Sequence, residues 1–322
     1  MKYATLAPIL TLMMQKGLLD IFALAAFFGP SFLFNKIAVQ HIEPITLVAL
    51  RVGLGGFLLW LVLKYKKIPL PRSLAHWKQG FILGFFLNGL PFVLFCYSLQ
   101  LIPSSLSALI NGLTPIVIVI LAHYLLPDER LNWNRTLGTV LGLSGFAVLF
   151  LPTLLKAQIE WSIPGILLSF IGSCCYAIGA IYARKKMQSH IPLTMPTIQL
   201  LSALFYLVPL SLIFEKSPLS LVNVPLSAWG CVLGLAISCS MLAFIMYHRI
   251  VTKYGATAIA MATYLLPVIG TLLGVTFLHE KMTLNFVLAA LFILCGVGVV
   301  NGIIPVPSIA KLKRKIDAID KI

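Results

Sequence analysis

A chain of 322 residues that is 60% hydrophobic and only 10% charged cannot hide its apolar side chains inside one water-soluble globule. Soluble domains carry about 25% charged residues, so the composition defines an integral membrane protein in contact with a lipid bilayer. The net charge of +15 would point to nucleic acid in a soluble protein; here it is apportioned among the loops, and no nucleic-acid partner is expected.

Crossing the hydrocarbon core as a helix takes about 20 apolar residues. Residues 1–17 contain Pro8 and no small-residue cleavage site, so they read as a membrane-surface segment rather than a removed signal. Ten stretches then qualify as spans, near 18–39, 45–64, 77–98, 104–126, 133–152, 163–184, 194–214, 227–248, 255–278 and 283–304. The connections are short and rich in Pro, Ser and Gly, and a basic tail, 305–322, closes the chain. With the N-terminus inside, 19 of the 24 Lys and Arg fall in inner segments and four in outer ones, while Arg51 lies within a span. The excess of positive charge on cytoplasmic loops places both termini in the cytoplasm of a bacterial inner membrane. The tail cations Lys311 to Lys315 then anchor to anionic lipid.

All six cysteines sit in apolar runs without metal-ligand spacing, so they read as packing residues, with no metal, disulfide framework or cofactor expected.

Features recur in order at offsets of 148 to 152 residues: Pro44 with Pro192, Gly80 and Gly84 with Gly230 and Gly234, Tyr97 with Tyr247, Pro115 with Pro267, Glu129 with Glu280, and Gly145 with Gly296. Such a series signals duplication. It divides the chain into a first repeat over 18–152 and a second over 153–304. Each repeat holds five helices, and because five is odd the second enters the membrane from the opposite side. The expected fold class is an all-α membrane protein of ten transmembrane helices in two inverted five-helix repeats, a build shared by many secondary transporters.

The residues Gly29-Pro30-Ser31-Phe32 through Asn35-Lys36, the run from Tyr97 to Pro115 and Glu129, and the run from Tyr247 to Pro267 and Glu280 carry a resemblance. Over roughly 18–304 the chain resembles the drug/metabolite transporter superfamily in its EamA-type branch. It has Phe28-Gly29 where members often have Trp-Gly. The resemblance implies a permease for small metabolites, without enzymatic activity, whose central cavity is lined by spans one, three, four, six, eight and nine.

Proline inside a helix strips the carbonyl four residues earlier of its donor. For Pro115 that carbonyl is Asn111's, and for Pro267 it is Thr263's. In lipid each must find another partner or face a wet cavity, so the pair reads either as cavity lining or as a structural kink. The first span adds Ser31 and Asn35 after its Gly29-Pro30 break, the third Asn88 and Tyr97, the sixth Tyr176, the eighth Tyr247 and the ninth Tyr264. Tyrosines with a polar tip suit an amphipathic solute, and equally suit the interface belt. Lys36 and Arg51 either snorkel outward, toward Glu43, or attract an anionic group. Glu129 and Glu280 are placed at gates or helix ends, paired with cations such as Arg130, Arg135 and Lys281. No acid falls mid-membrane, so uniport or exchange is as consistent with the sequence as proton coupling.

Four Gly-x-x-x-Gly pairs, Gly80/Gly84, Gly138/Gly142, Gly230/Gly234 and Gly270/Gly274, read as packing faces within one subunit or in a homodimer. The rival reading, an intramembrane acyltransferase, rests only on the spacing of His123 and Asp128. Among carriers, the alternative is a phosphate-ester or organic-anion exchanger, disfavoured by the absence of Lys and Arg from 255–278. The solute is amino acid-like, nucleobase-like or an amphipathic drug.

Overall fold

The computed structural model describes residues 19–126, 132–154, 162–186, 193–215, 218–254, 256–300, 302 and 304. Among them every long element is a helix and no strand occurs. In chain order these are α1 (Leu19–Ala38), α2 (Pro44–Tyr65), α3 (Leu74–Leu101), α4 (Ser104–Leu125), α5 (Trp133–Leu154), α6 (Ile163–Lys186) and α7 (Thr194–Phe214). They are followed by α8, running through Leu226–Gly234, Leu235–Leu242 and Ala243–Tyr254, then α9 (Ala256–Leu278) and α10 (Leu284–Val300). Among the described residues, seven helices are long and apolar enough to cross a membrane.

Local chemistry explains where helices start, stop and break. Proline at the first helical position opens α2, where no backbone donor is lost. Helix α1 turns at Gly29-Pro30 and resumes at Ser31. In α3, Pro91 has no N–H for the carbonyl four residues before it, and the helix widens over Phe85–Gly89, where the Leu90 amide donates to the Phe85 carbonyl five residues back. Helix α8 widens at the matching place, Leu235–Leu242, with the Ala243 amide reaching the Ser238 carbonyl.

The expectation of two matching proline interruptions in spans four and nine holds for only one of them. Helix α4 breaks at Gly112-Leu113, but α9 stays helical through Pro267. The reason is local. In α4, Gly112 makes the turn and the Thr114 hydroxyl donates to the stranded Asn111 carbonyl at 2.7 Å. The residues between Thr263 and Pro267 are Tyr264, Leu265 and Leu266, with neither a glycine nor a threonine among them. Pro267 is buried instead against α4, where a Cβ on Gly112 would come within 3.4 Å of its ring.

The helices pack as α5 on α10, α2 on α7, α4 on α9, α3 on α6 and α1 on α8. A first apolar core joins α2, α3, α7 and α8; a second joins α4, α6 and α10. Small residues set the closest approach. A Cβ on Gly296 of α10 would lie 2.5 Å from the Gly142 amide nitrogen and 2.6 Å from the Gly138 carbonyl oxygen of α5. Gly84 faces the Gln199 backbone of α7, Gly234 the Phe34 ring and Gly270 the Ala108 side chain. Seven of the eight Gly-x-x-x-Gly glycines thus meet other parts of the chain, and Gly230 has nothing within 4 Å.

Candidate functional site

One long cationic side chain is held inside the bundle. Arg51 lies eight positions into α2, about 10 Å from its start at 1.5 Å per residue, and is only 2% exposed. Its guanidinium carbon stands 3.8 Å from the centre of the Phe92 ring of α3, and its Nε donates to Ser240 Oγ of α8 at 3.4 Å. Gly55, one turn further along α2, lets α8 come this close: a Cβ there would be 2.7 Å from Ser240 Cβ. Among the described residues no carboxylate pairs with Arg51.

The aromatic wall continues from Phe92. Tyr176 of α6 meets Phe92 edge-on at 6.3 Å and stacks on Phe95 at 5.7 Å. Phe95 meets Phe32 of α1 edge-on at 5.5 Å. Beside it the buried Asn35 takes the Cys96 thiol on Oδ1 at 3.7 Å and donates to Ser31 Oγ at 3.5 Å. The structure therefore brings Ser31, Asn35, Arg51 and Tyr176 into one neighbourhood. Sequence reasoning missed Phe92, Phe95, Cys96 and Ser240. The legible clue was Arg51 itself, an arginine in an apolar span that must find neighbours able to tolerate it.

Asn88 sits in the widened turn of α3, 1% exposed, with an Oδ1 that has no hydrogen-bond partner. A buried carbonyl oxygen without a donor is rare and marks a place for a water or a ligand. Asn111 and Pro115 are half-buried at the α4 break. Tyr97 is half-buried against the first core, and Tyr247 is 41% exposed. Pro267 packs on α4. The side chains of Thr263 and Tyr264, and the whole of Glu129, lie outside the described residues.

Lys36 neither snorkels to Glu43 nor joins Arg51. Its Nζ donates to the carbonyls of Leu99 and, at 2.9 Å, Ile102, which end α3. A cation there satisfies orphan carbonyls at the negative end of the helix dipole. Glu280, just past α9, has the converse task and does not turn to Lys281. It accepts the Ser104 amide at 2.6 Å, the Ser104 hydroxyl at 2.8 Å and the Ser105 amide at 2.9 Å, capping the start of α4. A second carboxylate, which sequence reasoning did not single out, repeats the device. Glu215, at the end of α7, accepts the Ile45 and Thr46 amides at 2.6 and 2.7 Å and the Thr46 hydroxyl at 2.7 Å. Both cap positively polarised helix starts with full charges. At the other end of α1, Asp20 pairs with Arg249 of α8 at 3.1 Å.

A buried serine cluster fixes α6 to α3 and α4. Ser169 shares hydrogen bonds of 2.7 Å with both Ser98 and Ser107, and Ser98 also donates to the Gly165 carbonyl at 2.7 Å. Among the described residues no group of three His, Cys, Asp or Glu could hold a metal ion. His123 packs on Tyr124 in the last turn of α4, and its supposed acid partner Asp128 lies outside the described residues.

Broken apolar helices around a buried polar patch define an integral membrane protein of the carrier type. The chain belongs to the EamA-like transporter family, whose model matches twice, over residues 15–151 and 163–302. An uncharacterized transporter of Bacillus subtilis, YoaV, is 25% identical over 88% of this chain and 96% of its own. A probable amino-acid metabolite efflux pump of Salmonella typhimurium is 25% identical over 83% of this chain and 89% of its own. A protein of known crystal structure matches 88% of this chain and 97% of its own with a TM-score of 0.63 at 22% identity, a likeness of fold. The family and its named relatives are transporters and efflux pumps, which disposes of the acyltransferase reading.

Proposed function

We propose that the protein moves a small amphipathic metabolite, of the amino-acid type named for its Salmonella relative, by alternating access between two inverted halves, α1–α5 and α6–α10. The observation that carries the reading is the pair of widened turns, which begin at Phe85 in α3 and Leu235 in α8, 150 residues apart. Two helices that loosen at equivalent positions of the two repeats suit a site between interchangeable halves. The helix pairing supports it. Adding five to each helix number turns α3 on α6 into α8 on α1, and returns α2 on α7, α4 on α9 and α5 on α10 to themselves. The double family match supports the same division.

The solute path runs between the halves, past Ser31, Asn35, Asn88, Tyr97, Asn111, Pro115 and Tyr176 of α1, α3, α4 and α6, and past Tyr247, Thr263, Tyr264 and Pro267 of α8 and α9. Glu215 and Glu280 both belong to the second half and cap helices of the first, so their hydrogen bonds latch one end of the bundle. With both termini in the cytoplasm of a plasma membrane, that end is the outer one. Opening it breaks both caps.

The test is flux. Purified protein in proteoliposomes should exchange a radiolabelled amino acid or related metabolite across the bilayer, saturably and dependent on protein. Folded, inserted protein that moves no member of such a panel would sink the carrier reading.

A further inference from the structure

We infer that Arg51 is the anion-recognition group of the solute site, and that the solute carries a single carboxylate on an apolar or aromatic body. The inference rests on the carrier reading for its occupant, and on the side-chain geometry for its chemistry.

An arginine is charged at any physiological pH and carries five N–H donors in a planar fork. Arg51 uses one of them, in a long 3.4 Å contact with Ser240, and is 2% exposed. Burying an ion costs several kilocalories unless a counter-charge and further hydrogen bonds offset the loss of water. The described residues provide no counter-charge for it, and the Phe92 ring offers only partial compensation through its electron-rich face. A bundle that keeps such a group has to supply its partner from elsewhere. A carboxylate fits the fork with two parallel bonds.

The charge count sets the class of anion. Lys36 is committed to the end of α3, so among the described residues Arg51 stands as the one cation of this patch. A carboxylate matches a single guanidinium, whereas a phosphate monoester brings about two negative charges at neutral pH and would leave one unpaired. The aromatic wall sets the rest of the molecule. Phe92, Tyr176, Phe95 and Phe32 form a continuous chain of ring contacts leading away from the guanidinium, suited to an apolar body lying beside its charged end.

The test measures binding to purified protein in detergent, so that it does not depend on transport. The probes are phenylalanine, leucine, phenylacetate and 4-methylpentanoate, each beside its own amide, with phenyl phosphate as the dianion. The expected result is that carboxylates bind about tenfold or more tighter than their amides, that phenyl phosphate is no better than the amides, and that Arg51→Gln abolishes the acid–amide gap. Arg51→Lys keeps the charge but not the fork, and should weaken the carboxylates about tenfold with the amides unchanged; it carries the test if Arg51→Gln does not fold. Equal binding of acids and amides, preference for the phosphate, no binding by any acid, or a gap that survives Arg51→Gln or is untouched by Arg51→Lys overturns the inference. Flux separates it from the carrier reading. An acid–amide gap without flux leaves Arg51 as a binding group and removes transport, while flux of neutral solutes indifferent to Arg51→Gln does the reverse.

Discussion

The two carboxylate caps allow one substitution to distinguish a moving latch from a fixed brace. In Glu280→Gln the side chain keeps its length and one acceptor oxygen, but its other end becomes an NH₂ donor. The Ser104 amide and hydroxyl can still share the oxygen; the Ser105 amide, 2.9 Å from the present carboxylate, is left facing a donor. An unmet amide costs about 1–3 kcal/mol. Loss of the full charge at a helix start costs about 0.5–1 kcal/mol more. The closed end should therefore lose about 1.5–4 kcal/mol, or roughly 10- to 700-fold in its population relative to an open one. Hydrogen exchange of backbone amides reads this directly. Protection at Ser104 and Ser105 should fall by that factor. If the caps open together, protection at Ile45 and Thr46, held by Glu215 on a different pair of helices, should fall with it although nothing near them was changed. Exchange that quickens at Ser104 and Ser105 alone would refute the coupled latch and leave Glu280 as an ordinary helix cap.

Removing either of two cations, the half-buried Lys36 or the buried Arg51, separates structural from recognition roles. Lys36→Met strips the end of α3 of its donor and should lower stability by about 1–3 kcal/mol while leaving the preference for acids over amides intact. Arg51→Met removes an uncompensated ion, so thermal unfolding of the empty protein should be unchanged or improved by about 1–4 kcal/mol while ligand-induced stabilisation disappears. Gly296→Leu would drive a side chain into the α5 backbone, and should yield no monodisperse protein; Gly230→Ala, with open space around it, should behave as wild type. Asn111→Ala should lower flux without loss of expression, and unchanged transport kinetics would take Asn111 out of the solute path.

Much of the frame is legible in the sequence because hydropathy and proline act locally. The long apolar runs appear as helices close to where they are expected, and Pro115 marks the α4 break. Pro267 shows the limit of that logic. The same residue type at the equivalent place leaves α9 continuous, where Tyr264 and Leu266 stand in place of Gly112 and Thr114 before the proline. The widened turn of α8 contains no proline at all and could not be read from its residues. Lys36, Glu215 and Glu280 are visible as charges at span ends, but which helix end each one serves depends on how the helices meet in space. For the same reason Arg51 could be singled out in advance while its neighbours could not. Phe92, Tyr176 and Ser240 come from three helices and are gathered by packing alone.

The widened turns of α3 and α8 have a kinematic consequence. A helix with a five-residue turn holds surplus chain for its length. That surplus can pass along the axis by exchanging one backbone bond at a time, an i−5 partner for an i−4 one, without ever exposing a bare amide to lipid. Each residue overtaken rotates by about 100°, one step of a 3.6-residue helix. Ser240 lies inside the wide turn of α8, and Phe92 just beyond that of α3. A short migration of either turn would swing a neighbour of Arg51 around its helix axis, a screw motion that re-aims side chains inside the bundle while the helix ends stay where they are.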